Sequence, residues 1–172
     1  MARRLLLGCY EIHSELKTPF PTRDIDLLFV ASSWTRSVKN YALVRKIAAR
    51  CDGKLHIVGK VDQPHPRAHY HGVIAQRDEL YALLGRSKTL VCPSLLDAAP
   101  GVSFEASAME CNVIASRNCG NWQLCNPQLL PNECTRDAFV GKIARSLAKR
   151  YADNRELFRG GYEDLVETLS VF

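Results

Sequence analysis

The chain has 172 residues, 47% of them apolar, and a net charge of +5 from 23 basic and 18 acidic side chains. That length suits one compact domain with its own core, and the apolar share excludes a disordered chain. The mild positive excess favours anionic partners such as phosphates, and no basic run is interleaved with aromatics, so nucleic acid is not an expected partner.

Residues 1–24 read as an irregular lead-in, the remnant of an interdomain connection. Leu5–Cys9 has the makings of a short strand, but Thr18-Pro19-Phe20-Pro21-Thr22 breaks any regular structure. Residues 25–172 then alternate. Asp26–Ala31 is a continuous apolar run of the kind found in buried parallel strands. Val38–Cys51 places Val38, Tyr41, Val44, Ile47 and Ala48 on one helical face. Lys54–Gly59 predicts a second strand and His69–Ile74 a third. Arg77–Gly85 predicts a helix, with Leu80, Leu83 and Leu84 at i, i+3 and i+4. Thr89–Pro93 predicts a strand, Pro100–Glu110 a helix with proline in its first turn, and Asn112–Ser116 a fifth strand. Thr135–Tyr151 predicts an amphipathic helix capped by Thr135, with Phe139, Ile143 and Leu147 inward. Asn154–Leu169 predicts another, broken near Gly160-Gly161. Strands alternating with helices across short loops mean a parallel sheet covered on both faces, and right-handed crossovers make it a Rossmann-like, doubly wound α/β fold. Ligands of such sheets bind beyond the carboxyl ends of the strands.

One loop at that end stands out. Pro100-Gly101-Val102-Ser103 would open a helix with unpaired N–H groups, which together with the helix dipole favour an anion. Gly101 admits a ligand closely. Asp97 precedes that helix, and Glu105 lies one turn inside it. Ionised carboxylates bind paired hydroxyls through charge-assisted hydrogen bonds, so the two acids could flank a phosphate site and hold a hydroxyl-rich ligand. Taken singly, Glu105 also reads as dipole complementarity and Asp97 as a solvated loop acid.

The segment DAAPGVSFEASAMECNVIAS (97–116) resembles the signature of retaining glycosyltransferase family 4, the glycosyl transferases group 1, with Asp97 and Glu105 at its two acidic positions. LLFVASSWTRSVKN, KLHIVG and HGVIAQRDELYALLGRSKTLVCPS are similar to the preceding parts in order, so the resemblance covers about residues 25–125. It implies the donor-binding half of a GT-B enzyme, with a nucleotide-diphosphate sugar as donor substrate, retention of configuration, no cofactor and no obligatory metal. By the resemblance, Arg36 and Lys39 neutralise the diphosphate and Asp97 holds the transferred sugar. The backbone of Ala98, Ala99, Pro100, Gly101 and Val102 cradles sugar and phosphate, Glu105 holds the ribose, and Ile74 meets the base. It also implies a partner, the N-terminal Rossmann-like domain or subunit that completes the cleft. The alternatives are a non-catalytic GT-B-like module that regulates or scaffolds another chain, and half of a sugar-nucleotide 2-epimerase.

Three positions depart from the family pattern. Asp97 stands where glutamate is usual. Ser32 occupies a site often held by arginine, so Arg36 is assigned in its place. Glu110 stands where glycine usually ends the helix; a Cβ enters a left-handed cap with difficulty, so a different turn is expected there.

The remaining signals read structurally. Seven cysteines include no Cys-x-x-Cys, which fits free thiols in the cytosol. No apolar run is long enough for a membrane span, and the Met1–Leu7 stretch is too short for a signal peptide. The expected location is therefore cytoplasmic, with Lys142, Arg145, Lys149 and Arg150 forming either a solvated helix face or a contact to an anionic membrane surface. His65, His69 and His71 read as a polar loop and strand rather than a zinc site. There is no P-loop and no Gly-x-Gly-x-x-Gly motif, which argues against an NTPase and a dinucleotide oxidoreductase.

Overall fold

A computed structural model describes residues 14–154. Five strands, β1 (Ile25–Ser33), β2 (Leu55–Lys60), β3 (Ala68–Tyr70), β4 (Ser87–Cys92) and β5 (Asn112–Ala115), form one sheet in the order β3-β2-β1-β4-β5. Every pairing is parallel. Among the described residues the α-helices are α1 (Tyr41–Ala48), α2 (Arg77–Arg86), α3 (Gly101–Ala108) and α4 (Arg136–Ala148).

The central strands are buried on both faces, which is why they read as apolar runs and not as alternating ones. Leu28, Leu90 and Val113 pack with Tyr81, Leu84 and Ala106 under α2 and α3. Leu27, Phe29, Val91 and Ile114 pack with Val44, Ile47, Phe139 and Ile143 under α1 and α4. This is the expected doubly wound α/β sheet of Rossmann type. Its order turns outward from β1 in both directions, so the crevice between the carboxyl ends of β1 and β4 is the topological switch point.

Several elements are shorter than their sequence pattern. α1 begins three residues after Val38 because Asn40 takes a left-handed conformation (φ 60°, ψ 47°) between a 3-10 turn at Ser37–Lys39 and the helix. β3 ends at Tyr70; among the described residues it has a single neighbouring strand, and Gly72 (φ 68°) turns the chain so that its carbonyl accepts the Gly59 N–H at 2.6 Å. α4 ends at Ala148, and buried Asn112 closes it by donating to the Ser146 and Lys149 carbonyls at 2.7 and 2.8 Å. Thr135 stands at the N-cap of α4, but its hydroxyl makes no capping bond. The turn after α3 also differs from expectation: Glu110 does adopt the left-handed conformation, at φ 62°.

Residues 15–24 lie against the domain. The Thr18 N–H donates to the Gly85 carbonyl, and Arg23, 3% exposed, donates to the carbonyls of Thr18, Ser87 and Met109 at 2.7–2.9 Å. The expected strand at Leu5–Cys9 and helix at Asn154–Leu169 lie outside the described residues, save Asn154 itself. Among the described residues no helix is long and apolar enough to cross a membrane.

Candidate functional site

A cleft of about 190 Å³ opens at the switch point. Its walls are the end of β1 (Val30, Ala31, Ser32, Trp34), the end of β4 (Cys92, Pro93, Ser94), Lys39, Asp97 and the start of α3 (Pro100, Gly101, Val102). The left-handed turn at Asn40 positions Lys39. The Asn40 side chain donates to the Pro93 carbonyl at 3.0 Å, and the Leu95 N–H donates to the Val38 carbonyl at 2.8 Å. These two bonds tie the β1 loop to the end of β4, and Lys39 forms an ion pair with Asp97 across the cleft. Both side chains are less than one-fifth exposed, so this pair is screened less than a surface pair.

Asp97 is held from the other side by the turn after β5. Its N–H donates to the Asn118 carbonyl at 3.1 Å, and its carbonyl accepts the Gly120 N–H at 2.9 Å. Gly120 is required there, because a Cβ would lie 1.7 Å from the Ala98 carbonyl oxygen. At the head of α3, Ser103 turns both its N–H and its hydroxyl to the Pro100 carbonyl. The N–H groups of Gly101 and Val102 head the helix with no acceptor among the described residues, and a Cβ on Gly101 would meet open space. The site therefore combines one ammonium, two free helix-start amides and a carboxylate, which is a set of donors for an anion beside an acceptor for hydroxyls.

The other sequence-assigned residues surround this cleft without lining it. Arg36 is exposed, on the turn before Lys39, and its side chain makes no hydrogen bond to a described residue. Ala98 and Ala99 are exposed on the loop leading to Pro100. Ile74 is half-buried against the α2 and α3 side of the core, on the loop after β3. Glu105 lies one turn into α3, its carboxylate paired with Arg77 at the start of α2. Two parts escaped sequence reasoning. One is Asn40, missed because the apolar periodicity starts at Val38, although an asparagine directly before an apolar-periodic run is a helix-start signal. Arg77 and Tyr81 sit at i and i+4, the helical spacing for neighbours, but nothing local shows that they face Glu105.

The family model described as "Glycosyl transferases group 1" matches residues 25–149. The chain belongs to this family. No curated protein sequence matches it. Among solved structures of GT-B type, the chain is similar to the lipopolysaccharide outer core galactosyltransferase WaaB in its apo form, at 20% identity and a TM-score of 0.63, over 77% of this chain and 43% of that one. It is similar to the sucrose-phosphate synthase of Thermosynechococcus elongatus at 18% identity and a TM-score of 0.55, over 98% and 48%. It is also similar to Anabaena HepE in complex with UDP and glucose at 13% identity and a TM-score of 0.59, over 96% and 52%. At these identities the likeness is one of fold. The chain spans about half the length of the solved structures it matches.

Outside the cleft, this group 1 glycosyltransferase chain has a cluster of three histidines at the β2–β3 edge. His56, His69 and His71 have ring centroids 4.7–5.0 Å apart, and His56 Nδ1 lies 2.9 Å from His71 Nε2. Burial, with the neighbouring rings adding to it, pushes His56 down to about 4 and lowers His71. His65 stands apart, bonded through its N–H to Tyr70. Among the described residues no group of three or more His, Cys, Asp or Glu is placed to hold a metal. Cys92, Cys111, Cys119 and Cys125 are buried free thiols, raised by desolvation, which makes them core residues and poor nucleophiles. The basic face of α4 is partly engaged: Lys142 donates to the Gln128 carbonyl, and Lys149 lies 5.0 Å from the Tyr151 ring.

Proposed function

We propose that the chain is the donor-binding half of a retaining glycosyltransferase, and that it holds a nucleotide-diphosphate sugar in the cleft between β1 and β4 for transfer of a hexose to an acceptor. The observation that carries this reading is the convergence of Lys39, the free amides of Gly101 and Val102, and Asp97 at the switch point. Lys39 and the helix start take the diphosphate. Arg36, one turn away and solvated, closes on it from outside. As the glycosidic bond breaks, negative charge grows on the leaving diphosphate, and fixed cations and amides stabilise that charge more than they stabilise the bound donor. Asp97 exchanges Lys39 for hydroxyls of the transferred sugar, while the backbone of Ala98–Val102 lines the sugar and phosphate. Glu105 takes the ribose hydroxyls, and the Ile74 loop meets the base. The acceptor belongs to a second Rossmann-like domain or subunit. Val73, Leu95 and Leu96 support that partner, because these exposed apolar side chains all stand on loops at the carboxyl end of the sheet, beside the cleft.

Calorimetric titration with UDP, GDP, ADP and their sugars tests the assignment. The reading expects one base series to bind and Lys39→Ala to weaken it at least about tenfold, the scale of one charge-assisted contact. Nucleotide binding that survives Arg36→Ala and Lys39→Ala together would remove the phosphate site.

A further inference from the structure

Glu105 is half-buried, with 15% of its side chain exposed, yet it is not alone at its position. Its Oε1 receives Arg77 Nη1, and the Tyr81 hydroxyl lies 3.5 Å from the same oxygen. Arg77 Nη1 also donates to the Tyr81 hydroxyl at 3.2 Å, so the three groups are bonded to one another. Both contacts fall on Oε1; Oε2 takes no hydrogen bond among the described residues. A carboxylate offers about four acceptor sites on two oxygens. Here the described residues engage one oxygen, and the other faces no hydrogen-bond donor among them.

The placement of this set is specific. Arg77 is the first residue of α2, directly after the loop that carries Ile74, and Tyr81 lies one turn further along, 4% exposed. Glu105 lies one turn into α3, whose start lines the cleft. Arg77 thus links the loop after β3 to the helix after β4. A buried tyrosine with a fixed hydroxyl limits where the carboxylate can sit, and a guanidinium beside it fixes the torsion of the carboxyl group. Resting on the donor-binding reading above, we infer that Arg77, with Tyr81 behind it, is a positioning residue that sets Glu105 to accept the two ribose hydroxyls of the nucleotide. Arg77 acts through Glu105 and touches no reacting atom. Its side chain is mostly exposed, so its contribution to stability is small and its effect appears in ligand binding.

The experiment compares, by calorimetry on the full chain, the affinity for a nucleoside diphosphate with that for its 2′,3′-dideoxy form. UDP, GDP and ADP are tried first, and the dideoxy form of the tightest binder is used. The ratio of the two dissociation constants reads the ribose hydroxyls alone, because base and diphosphate are common to both. In the native chain the ratio is expected to be about tenfold or more, and in Glu105→Ala to fall near one. Arg77→Met is expected to fall most of the way to the Glu105→Ala value with an unchanged melting temperature. Arg77→Lys, which keeps the charge but not the planar fork, is expected to lie between. A native ratio in Arg77→Met, with a collapsed ratio in Glu105→Ala, overturns the positioning role and leaves the donor reading intact. Equal weakening of both ligands in Arg77→Met also overturns it, because Arg77 would then contact phosphate or base directly. A native ratio in Glu105→Ala overturns the ribose assignment and this inference with it but leaves the phosphate site, whereas failure of all three nucleotides to bind overturns the donor reading itself.

Discussion

Glu110 and His56 show how single side chains depart from their intrinsic preferences. Glu110 closes α3 in a Schellman arrangement: the Cys111 N–H reaches the Ala106 carbonyl at 2.9 Å and the Glu110 N–H reaches the Ser107 carbonyl at 3.0 Å. Those two bonds hold a Cβ in the left-handed region, at a cost of about 1 kcal/mol that glycine would not carry. The Lys17 ion pair, with Glu110 half-exposed, offsets little of it. Glu110→Gly is therefore expected to stabilise the chain by about 0.5–1 kcal/mol, seen as a melting temperature about 2–3 °C higher. His56 has the opposite sign. Its folded value near 4 lies below the ordinary 6.5, so the unfolded chain takes up a proton first as pH falls. The stability tied to its neutral form is complete above pH 6.5 and is lost between 6.5 and about 4. Asp24 and Asp26, held down by Arg86 and Lys88, titrate below 3.8 and act in a lower window. Melting temperatures should fall as pH drops from 6.5 to 4, and His56→Gln should flatten that slope; an equal slope in the variant would show that other groups carry it.

At the scale of elements, the site depends on loops that clamp one another. The turn at Asn118–Gly120 bonds both sides of the Asp97 backbone, and the space between Gly120 and Ala98 has no room for a side chain. Gly120→Ala must push the Ala98 carbonyl away, which should destabilise the chain by about 1–3 kcal/mol and weaken nucleotide binding. Gly101→Ala is the matched control: nothing stands within contact of the added Cβ, so thermal stability should hold while nucleotide affinity falls, if the donor occupies that space. Loss of stability from Gly101→Ala, or none from Gly120→Ala, would contradict this account. The strands and helices themselves were legible because each is a buried apolar run or an amphipathic stretch. Their ends were not. Val38 fits the periodicity of α1, yet Asn40 breaks the helix there because its side chain has partners on the β4 loop and at Cys134.

At the scale of the whole molecule, the parallel sheet places every strand's carboxyl end on one side, and the cleft, the start of α3 and the exposed Leu95 and Leu96 all follow from that placement. The cleft is open, and the chain spans about half of the solved structures it resembles. The chain by itself is expected to bind a nucleotide weakly and to transfer little or no sugar, as measured by release of nucleoside diphosphate; turnover by the isolated chain at a rate typical of enzymes, about 1 per second or faster, would refute the need for a partner.

The order of strands and helices, the loop that opens α3 and the two acids eight residues apart are legible in the amino-acid sequence, because apolar periodicity and helix-start chemistry are local properties of the chain. Which groups meet is set by the packing of the sheet and its crossovers. Lys39 faces Asp97 across 58 positions and Arg77 faces Glu105 across 28. Both pairs exist because crossovers bring the carboxyl ends of β1, β3 and β4 to one side of the sheet, and that juxtaposition is not a property of any segment taken alone.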